Sequence, residues 1–357
     1  VLRPARFYLR VLGLMAASLL TVPQARLYMR PIQIYLNAQW SRAQQGLDFQ
    51  IVTPFKLVHI IQWWTNMNNL TRGLEWNVNK PSVTITTDAS KMAWGAHCQG
   101  KTVQGRWTYE QTQLHINQLE LLAIWKGLKV FLPFVKHRTV LVQTDNTAAL
   151  YYINKSGGTK SVLLCQLTWD MMLWCMEHRI ILTAVHLPGQ NNILADRLSR
   201  SILSPLEWEI NQNVATALFN KWGVPKVDLF ATHYNKKLPQ FCSLTFHQKA
   251  LTVDGLRLNW KEKYFYAFPP IPILTQVLMK VAREAATLIL IAPKWPQREW
   301  YPLLLNLLVE IPLKLPLLPD LVTQEEGNHW HANPAELCLV AWKVSGQTYL
   351  QKVFHQQ

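Results

Sequence analysis

The sequence predicts an α/β protein whose central part forms a mixed, five-stranded β-sheet with flanking helices. Residues 83–88 place their side chains alternately on two faces, which is typical of a strand. Gln99-Gly100-Lys101 separates two further strand-like runs and indicates a hairpin. The helical and β-branched runs that follow give the order β-β-β-α-β-α-α-β-α. This order implies an antiparallel meander followed by crossover-linked strands.

Each element of that order has its own signal in the sequence. A short β-branched run, Thr139–Thr144, suits a central strand, and Gly157-Gly158 separates two helical runs. The predicted strands are Val83–Asp88, Ala93–Cys98, Thr102–Trp107, Thr139–Thr144 and Ile180–His186. The predicted helices are Thr112–Phe131, Thr147–Asn154, Ser161–Glu177 and Asn192–Ser201.

The segment before this sheet, residues 1–80, is predicted to be a separate helical domain. Apolar residues recur at helical spacing up to Pro23, again over Leu27–Trp40, and a third time after Thr53-Pro54. Asn79-Lys80-Pro81 is a plausible boundary, so we place the sheet domain at residues 81–203.

The segment after the sheet, residues 204–357, is predicted to be a third, α/β region interrupted by prolines. Strand ends are indicated at Asp228-Leu229-Phe230, Tyr264–Phe268 and Thr287–Ala292. The apolar stretch Leu303–Pro319 contains charged residues and several prolines. We therefore expect it to be neither a membrane span nor a regular helix.

The charge of the chain indicates a polyanionic partner. The net charge is +15, and basic residues outnumber acidic ones by nine to two in residues 1–80 and by twelve to seven in residues 81–203. A solvated basic surface that aids solubility is the simpler interpretation. Nucleic acid is favoured because the excess lies in the first two segments rather than in a tail. Such a surface binds phosphate without sequence preference.

The cysteines and the first residues bear on where the protein works. The cysteines contain no CxxC pair, which favours reduced thiols in an intracellular protein over a zinc site or a disulfide framework. Arginines precede the apolar stretch Val11–Val22, as in a signal peptide. That stretch is shorter than the roughly 20 residues that span a bilayer, so we interpret it as a buried helix and expect no membrane association. Because the chain starts with Val1, it suggests a fragment of a longer reading frame.

Four acidic residues are candidates for catalysis, and each has an ordinary alternative. Asp88 follows a strand and has the position of a turn aspartate, and Asp145 has the position of a helix N-cap. Asp196 precedes Arg200 by one helical turn and can form a surface ion pair. Glu120 is harder to explain, because its helix face is apolar and a lone buried carboxylate costs several kcal/mol.

Taken together, these acids predict a metal site. Two aspartates at the ends of adjacent strands can converge with Glu120 on the packed crossover helix. Their mutual repulsion is removed by two Mg²⁺ ions about 4 Å apart, which activate a water at phosphorus and stabilise the leaving oxygen. Oxygen ligands without cysteine favour Mg²⁺, for which Mn²⁺ can substitute, over zinc. His186, in a Pro-Gly loop, suits a proton shuttle or product-release residue, although a lone histidine is more often structural.

At these residues the chain resembles the ribonuclease H domain of a retroelement polyprotein. The resemblance implies a ribonuclease H-like fold in which Asp88, Glu120, Asp145 and Asp196 bind the metals and His186 assists catalysis. It also implies RNA–DNA hybrid as the substrate. The motifs that carry it are Thr86-Thr87-Asp88-Ala89-Ser90, Gln118-Leu119-Glu120-Leu121-Leu122-Ala123, Thr144-Asp145-Asn146-Thr147, His186-Leu187-Pro188-Gly189 and Ala195-Asp196-Arg197-Leu198-Ser199-Arg200.

The flanking sequences are similar to DIRS-type retrotransposons, which combine a reverse transcriptase with a tyrosine recombinase. The strings that carry this similarity are Trp94-Gly95-Ala96-His97, Gln104-Gly105-Arg106-Trp107, Pro23-Gln24-Ala25-Arg26-Leu27 and Arg30-Pro31. The resemblance implies that residues 1–80 are a thumb or connection segment of the reverse transcriptase. The chain contains no Tyr-x-Asp-Asp motif, so the polymerase domain is expected upstream, as a partner in the same polyprotein.

The C-terminal region contains, in order, Asp228-Leu229-Phe230-Ala231, Trp260, Ala267-Phe268-Pro269-Pro270, and Trp295 followed by Trp300-Tyr301. In these strings it is similar to the adenine-methyltransferase-like segment of those elements, in a degenerate form. An active enzyme of that class has Asp or Asn before Pro-Pro and an aromatic residue after it. Here those positions are Phe268 and Ile271, and no glycine-rich turn for S-adenosylmethionine is evident. We therefore expect no methyl transfer, and a structural or nucleic-acid-contact role instead.

The sequence thus supports a metal-dependent nuclease that cuts the RNA strand of RNA–DNA hybrids. One alternative is a non-catalytic nucleic-acid-binding remnant of a decayed retroelement, which the intact set of four acids disfavours. Another is a DNA-cutting nuclease built on the same fold, because a fold does not fix the substrate.

Overall fold

The computed structural model describes residues 1–73, 80–201 and 208–356. The chain divides into two units, the first being Val1–Gln99 with Gly105–Arg200 and the second Gly100–Gln104 with Ser201–Gln357. The predicted boundary after residue 203 lies outside the described residues, as does Asn79 of the predicted linker. The division into three domains therefore stays a prediction.

The first residues of unit one form helices joined by a short antiparallel ribbon. The ribbon pairs Leu2–Pro4 with Gln50–Val52, and the helices pack around buried side chains that include Tyr8, Met15 and Ile32. Trp169, from a later helix of the same unit, packs against this cluster. The elements are β1 (Leu2–Pro4), α1 (Ala5–Ala17), α2 (Ala25–Gln39), β2 (Gln50–Val52), α3 (Val58–Thr65) and α4 (Met67–Leu70).

The expectation that Val11–Val22 is a buried helix is wrong in part. Helix α1 ends at Ala17, and only one of its faces is covered. Met15 is buried, whereas Leu14 is 69% exposed and Leu20, beyond the helix, is 85% exposed. Among the described residues, no helix is both long and apolar enough to cross a membrane.

The rest of unit one contains the predicted mixed sheet. Strand β3 runs antiparallel to β4 and parallel to β6, and β6 runs parallel to β7, so the order is β7-β6-β3-β4. The strands are β3 (Val83–Ala89), β4 (Ala93–Cys98), β6 (Thr139–Thr144) and β7 (Ile181–His186), with β5 (Lys101–Arg106) between β4 and β6 in the chain. The helices are α5 (Tyr109–Thr112), α6 (Ile116–Val130), α7 (Leu132–Val135), α8 (Thr147–Asn154), α9 (Val162–Glu177) and α10 (Ile193–Arg200).

Two predicted elements differ from the structure. The long helix predicted from Thr112 is interrupted, because His115 caps a new helix by accepting a hydrogen bond from the Asn117 N–H. The first residues of β5 belong to the second unit, where Thr102 and Val103 pair in parallel with a later strand. A mixed sheet is therefore confirmed, and its fifth strand stays a prediction.

Two glycines allow helices to lie close against this sheet. A Cβ atom added to Gly95 on β4 would lie 2.4 Å from the Leu198 Cβ atom of α10. A Cβ atom added to Gly127 on α6 would lie 3.0 Å from the Ala96 side chain. Helices α10 and α6 therefore approach the sheet closely enough to bring their acidic residues near the strand ends.

The second unit is built around a second mixed sheet of order β10-β9-β11-β12-β16-β13. The first four of these strands are parallel, whereas β16 is antiparallel to both of its neighbours. The strands are β8 (Glu209–Ile210), β9 (Val227–Asp228), β10 (Gln240–Phe241), β11 (Tyr264–Ala267), β12 (Thr287–Pro293), β13 (Leu313–Lys314), β14 (Val322–Gln324), β15 (His329–His331) and β16 (Leu339–Ser345). The helices are α11 (Gln212–Trp222), α12 (Leu274–Glu284), α13 (Tyr301–Asn306) and α14 (Thr348–His355).

The α/β pattern predicted for this region is confirmed, because the indicated strand ends coincide with β9, β11 and β12. Large buried side chains, among them Trp260, Phe265 and Trp342, fill one face of the sheet. The stretch Leu303–Pro319 contains the end of α13 and the short strand β13. It is therefore not one regular helix, as its prolines predict.

Candidate metal centre

Asp88 is the penultimate residue of β3 and is buried. One of its carboxylate oxygens accepts a hydrogen bond of 2.5 Å from the hydroxyl of Ser199 on α10. Burial raises the pKa of the Asp88 carboxyl, and this outweighs the Ser199 hydrogen bond, which lowers it. The charges of Asp145 and Asp196 raise the pKa further, whereas Arg200 opposes them. Asp88 is therefore held in one orientation, close to other carboxylates.

Glu120 lies on the face of α6 that is turned toward the sheet, and it is only 4% exposed. Its neighbours on this face, Ala123 and Ile124, are fully buried, as the sequence predicts. Burial raises the pKa of Glu120 to about 9, the charges of Asp88 and Asp145 add to this, and the backbone of Ala89 hydrogen bonds to the carboxylate and opposes it. Among the described residues, its Oε2 atom has no hydrogen-bond partner. A buried acceptor without a protein partner is unusual, and a bound cation would satisfy it.

Asp145 directly follows β6, at the carboxyl end of a strand adjacent to β3. The capping role that the sequence left open for it belongs to Asn146, whose side chain accepts a hydrogen bond from the Ala149 N–H. A Cβ atom added to Gly189 would lie 3.4 Å from the Asp145 Oδ2 atom, so the loop after β7 passes beside this carboxylate. The Asp145 carboxylate is thus free to take part in the cluster.

The three side chains meet at one point. Asp88, Glu120 and Asp145 each offer a carboxylate oxygen, and these oxygens all lie within 4.8 Å of one another. Carboxylate oxygens are the ligands that Mg²⁺ and Mn²⁺ prefer. The donor set, together with the unpartnered Oε2 atom of Glu120, therefore fits a hard divalent cation.

Asp196 and His186 lie outside this cluster of three. The Asp196 side chain is 41% exposed and forms an ion pair of 2.7 Å with Arg200, the alternative that the sequence left open. Its charge nevertheless acts on the pKa of Asp88. His186 is exposed at the end of β7, where it is paired in register with Thr144, the residue before Asp145. Their roles as a fourth ligand and a proton carrier stay predictions.

Two further residues, Ser199 and Asn192, help to position the acidic cluster. Ser199 is fully buried, and its hydroxyl reaches Asp88 as well as the backbone carbonyl of Asp196. Asn192 donates a hydrogen bond of 3.1 Å to the Thr87 carbonyl and so ties the start of α10 to β3. The spacing of three residues between Asp196 and Ser199 was the available signal, because it places the two residues on one face of a helix.

Phe268 and Ile271, which flank Pro269-Pro270 in the second unit, are partly buried, and each packs against a core cluster of the sheet. Asp228, at the end of β9, is buried and accepts hydrogen bonds from the backbone N–H groups of Lys237 and Phe230. The absence of methyl transfer and the role of this region stay predictions.

The chain is similar in sequence to enzymatic polyproteins of viruses. It is 26% identical over 148 residues to the putative enzymatic polyprotein of Cassava vein mosaic virus, an alignment that covers 37% of this chain and 22% of that polyprotein. It is 23% identical over 206 residues to the enzymatic polyprotein of Carnation etched ring virus, covering 55% and 29%. The chain therefore spans less than a third of the length of these relatives.

Solved structures with some similarity include two ribonucleases. RNase H1 from Halobacterium salinarum NRC-1 gives a TM-score of 0.28 at 16% identity, covering 32% of this chain and 92% of that one. LC11-RNase H1, in complex with an RNA/DNA hybrid, gives a TM-score of 0.27 at 19% identity, covering 33% and 93%. No family model matches the chain.

Proposed function

We propose that the first unit is a ribonuclease H-type endonuclease, which uses divalent metal ions to hydrolyse the RNA strand of RNA–DNA hybrids. The observation that carries this proposal is the convergence of Asp88, Glu120 and Asp145, with which no lysine or arginine of the described residues forms an ion pair. The ordered motifs on the mixed sheet support it. The similarity to viral enzymatic polyproteins supports a place for the chain within a longer polyprotein.

In this proposal Asp88, Glu120 and Asp145 hold the metal, and Asp196 is the fourth ligand. Two bound Mg²⁺ ions, or Mn²⁺ in their place, would activate a water molecule and stabilise the oxygen that leaves phosphorus. The protein's own contribution is to fix the ligands. Glu120 is held in a buried environment from which bulk water is excluded. His186, exposed beside the cluster, is free to carry a proton or to help release the product.

The choice of substrate rests on the resemblance of the motifs, so the decisive assay compares nucleic acids. The full chain is incubated with Mg²⁺ and end-labelled RNA–DNA hybrid, double-stranded RNA or double-stranded DNA. We expect cuts in the RNA strand of the hybrid alone. Cleavage of double-stranded DNA instead would favour the DNA-cutting nuclease. No cleavage of any substrate with either Mg²⁺ or Mn²⁺ would favour the non-catalytic remnant.

The Asp145→Asn variant tests the metal site in the same assay. Because it removes one of three converging charges, it should abolish hybrid cleavage and reduce the rise in melting temperature that Mg²⁺ causes in the wild-type protein. The matched control is Asp170→Asn, which changes an exposed aspartate of α9 in the same unit. An Asp145→Asn protein that cleaves hybrid at the wild-type rate contradicts the assignment.

The type of retroelement and the roles of the flanking segments are part of the same proposal. We place it in a DIRS-type reverse transcriptase polyprotein of intracellular location, with the polymerase domain upstream as its partner. Residues 1–80 are then the thumb or connection, and their described part, through residue 73, packs against α9 through Trp169. Residues 204–357 are then a degenerate methyltransferase-like region without transferase activity. These assignments rest on the quoted motifs, and the viral relatives do not distinguish among retroelement types.

A further inference from the structure

The second unit carries two exposed aromatic rings on the loops that follow β9 and β10. Tyr234 is 73% exposed and Phe246 is 82% exposed. Each is the chain neighbour of one member of a stacked histidine pair, His233 and His247. The ring centroids of that pair lie 4.7 Å apart with planes at 13°, so the pair brings the two loops together. We call these residues, with Lys236 and Lys249, the aromatic patch.

The loops that carry the patch are held by local contacts. The Thr232 N–H and hydroxyl both donate to the Asn235 side chain, which closes the turn around Tyr234. The Lys249 N–H donates to His247 at 3.1 Å, which closes the second turn. The backbone beside each exposed ring is therefore ordered by hydrogen bonds, although the rings themselves are exposed.

The patch is electropositive. Residues 229–253 contain three lysines and no acidic residue. Lys237 is paired with Glu209, whereas Lys249 is exposed. Lys236 donates to the His233 carbonyl at 2.7 Å. Desolvation and the nearby charges of Lys236, His247 and Lys249 lower the pKa of His233, and one acidic residue, Glu326, acts in the opposite direction. The local field therefore favours an anion.

The patch also lies where α/β sheets bind their ligands. Strands β9 and β10 are parallel, and both loops leave their carboxyl ends. The chain places β10 on one side of β9, whereas β11 and β12 lie on the other, so the strand order reverses between β9 and β11. Ligands of open α/β sheets bind outside the carboxyl ends of the strands at such a reversal, and the loop after β9, which carries Tyr234, borders it.

We propose that the aromatic patch of the second unit binds single-stranded nucleic acid, with bases stacked on Tyr234 and Phe246 and phosphates beside Lys236 and Lys249. Exposed rings in a basic, acid-poor surface are the combination that binds single strands without sequence preference. A duplex keeps its bases paired and stacked, so it offers no free base to these rings. If the proposed nuclease is correct, hydrolysis of the RNA strand leaves a single DNA strand, the kind of polymer that this patch fits.

The test is a binding titration of the full chain with a labelled single-stranded thymidine oligonucleotide of about 20 nucleotides. Fluorescence anisotropy measures the affinity. The double variant Tyr234→Ala/Phe246→Ala should weaken binding by about tenfold or more, because stacking is lost at two bases. Tyr234→Phe keeps the ring and should bind as the wild type does. Lys236→Ala/Lys249→Ala should lower the slope of log K against log salt by about 1.4, at about 0.7 per phosphate.

The matched control is Tyr349→Ala/Lys352→Ala on α14, where a 65% exposed tyrosine and an exposed lysine lie outside the patch. It should change binding less than twofold. Binding of Tyr234→Ala/Phe246→Ala that equals this control would overturn the proposal. So would a loss that is the same for duplex DNA of equal length, since that loss would not involve stacked bases.

A photoreactive oligonucleotide gives a second readout that does not depend on how the variants fold. Crosslinks of the wild-type chain should map to peptides that contain Tyr234 or Phe246. Crosslinks confined to the first unit would contradict the proposal. Cleavage of RNA–DNA hybrid by each patch variant is measured in parallel. It should be unchanged, so failure of the patch and failure of the nuclease are distinguishable.

Discussion

Two buried aspartates at strand ends, Asp88 in the first unit and Asp228 in the second, differ in what surrounds them. Burial raises the pKa of both carboxyls. Asp228 accepts N–H donors from Lys237 at 2.9 Å and Phe230 at 3.4 Å, and the positive charge of Lys237 acts on it as well. The protein itself therefore compensates much of the charge that burial would leave unsolvated.

Asp88 has a different environment. Its carboxylate faces those of Glu120 and Asp145, and no lysine or arginine forms an ion pair with any of these three acids in the part of the chain that the structure describes. Like charges in a buried site are unstable unless a cation joins them. Burial alone therefore does not indicate a metal site, whereas a group of converging acids without an ion-paired lysine or arginine supports the one proposed here.

The largest difference between the two sites should appear in the rate of hybrid cleavage when each aspartate is exchanged for asparagine. Asp88→Asn should lower the rate of hybrid cleavage by about 100- to 1000-fold, the scale found when one preorganised electrostatic group is removed from an active site. Asp228→Asn should leave that rate within twofold, because its compensation lies within the second unit. Single-turnover cleavage of labelled hybrid measures both. Equal losses in the two variants would remove the distinction between the two sites.

Much of the fold around the acidic cluster could be predicted from the sequence, and the features that could not be predicted have physical causes. The strands at Thr139–Thr144 and Val83–Ala89 follow from side-chain alternation and β-branching, and Glu120 follows from its apolar helix face. The ion pair of Asp196 with Arg200 follows as well, because the two residues lie one helical turn apart. The sequence did not show that Asp228 accepts hydrogen bonds from the backbone N–H groups of Lys237 and Phe230, because these contacts depend on the path of the loop after β9.

The bounds and pairing of some helices and strands could not be predicted either. The interruption before Ile116 depends on His115 as a capping residue, an uncommon choice that composition does not indicate. The pairing of Thr102 with His329 joins residues far apart in sequence, so the hairpin signal at Gln99-Gly100-Lys101 could not predict it. The spacing from Asp196 places Ser199 on the same helix face, but its contact with Asp88 joins residues far apart in sequence and could not be predicted.

The next largest effect concerns how the buried carboxyl group of Asp228 changes the free energy of unfolding with pH. Its pKa is raised to about 6 in the folded protein. The unfolded chain therefore loses this proton at lower pH than the folded chain, and the free energy of unfolding falls as pH rises from about 3.9 to about 6. At about 1.4 kcal/mol per unit, this amounts to about 3 kcal/mol. Asp228→Asn should remove that contribution. Urea unfolding of both proteins at several pH values measures it.

The control for this measurement is Asp170→Asn, at an exposed position. The difference in free energy of unfolding between wild type and Asp228→Asn should change across the stated pH range, whereas the difference for the control should stay constant. A constant difference for both variants would show that Asp228 is ionised at its ordinary pKa.

A smaller effect is expected from His186, which lies beside the acidic cluster but outside it. His186→Ala should slow turnover by about 10- to 100-fold, the range of general acid–base effects, and leave the melting temperature unchanged because the side chain is exposed. Steady-state cleavage and thermal unfolding are measured on the same samples. A large loss of stability would instead assign the histidine a structural role.

The smallest effect, and the sharpest test of how the acidic cluster is positioned, concerns Ser199. Its buried hydroxyl donates to Asp88 at 2.5 Å, so Ser199→Ala removes the group that fixes this carboxylate. A hydrogen bond to a charged group contributes about 1.5–3 kcal/mol, and the lower end of this range corresponds to about tenfold. Since Asp88 itself remains, we expect about a tenfold loss in kcat, an unchanged KM and a higher Mg²⁺ requirement. The control is Ser90→Ala. It removes the 2.7 Å hydrogen bond from the Ser90 hydroxyl to the Ser199 carbonyl but leaves the Ser199 hydroxyl, which contacts Asp88, in place. This variant should lower the melting temperature without changing the Mg²⁺ concentration that cleavage requires. If both variants lose only stability, Ser199 packs the helix against the sheet and does not position Asp88.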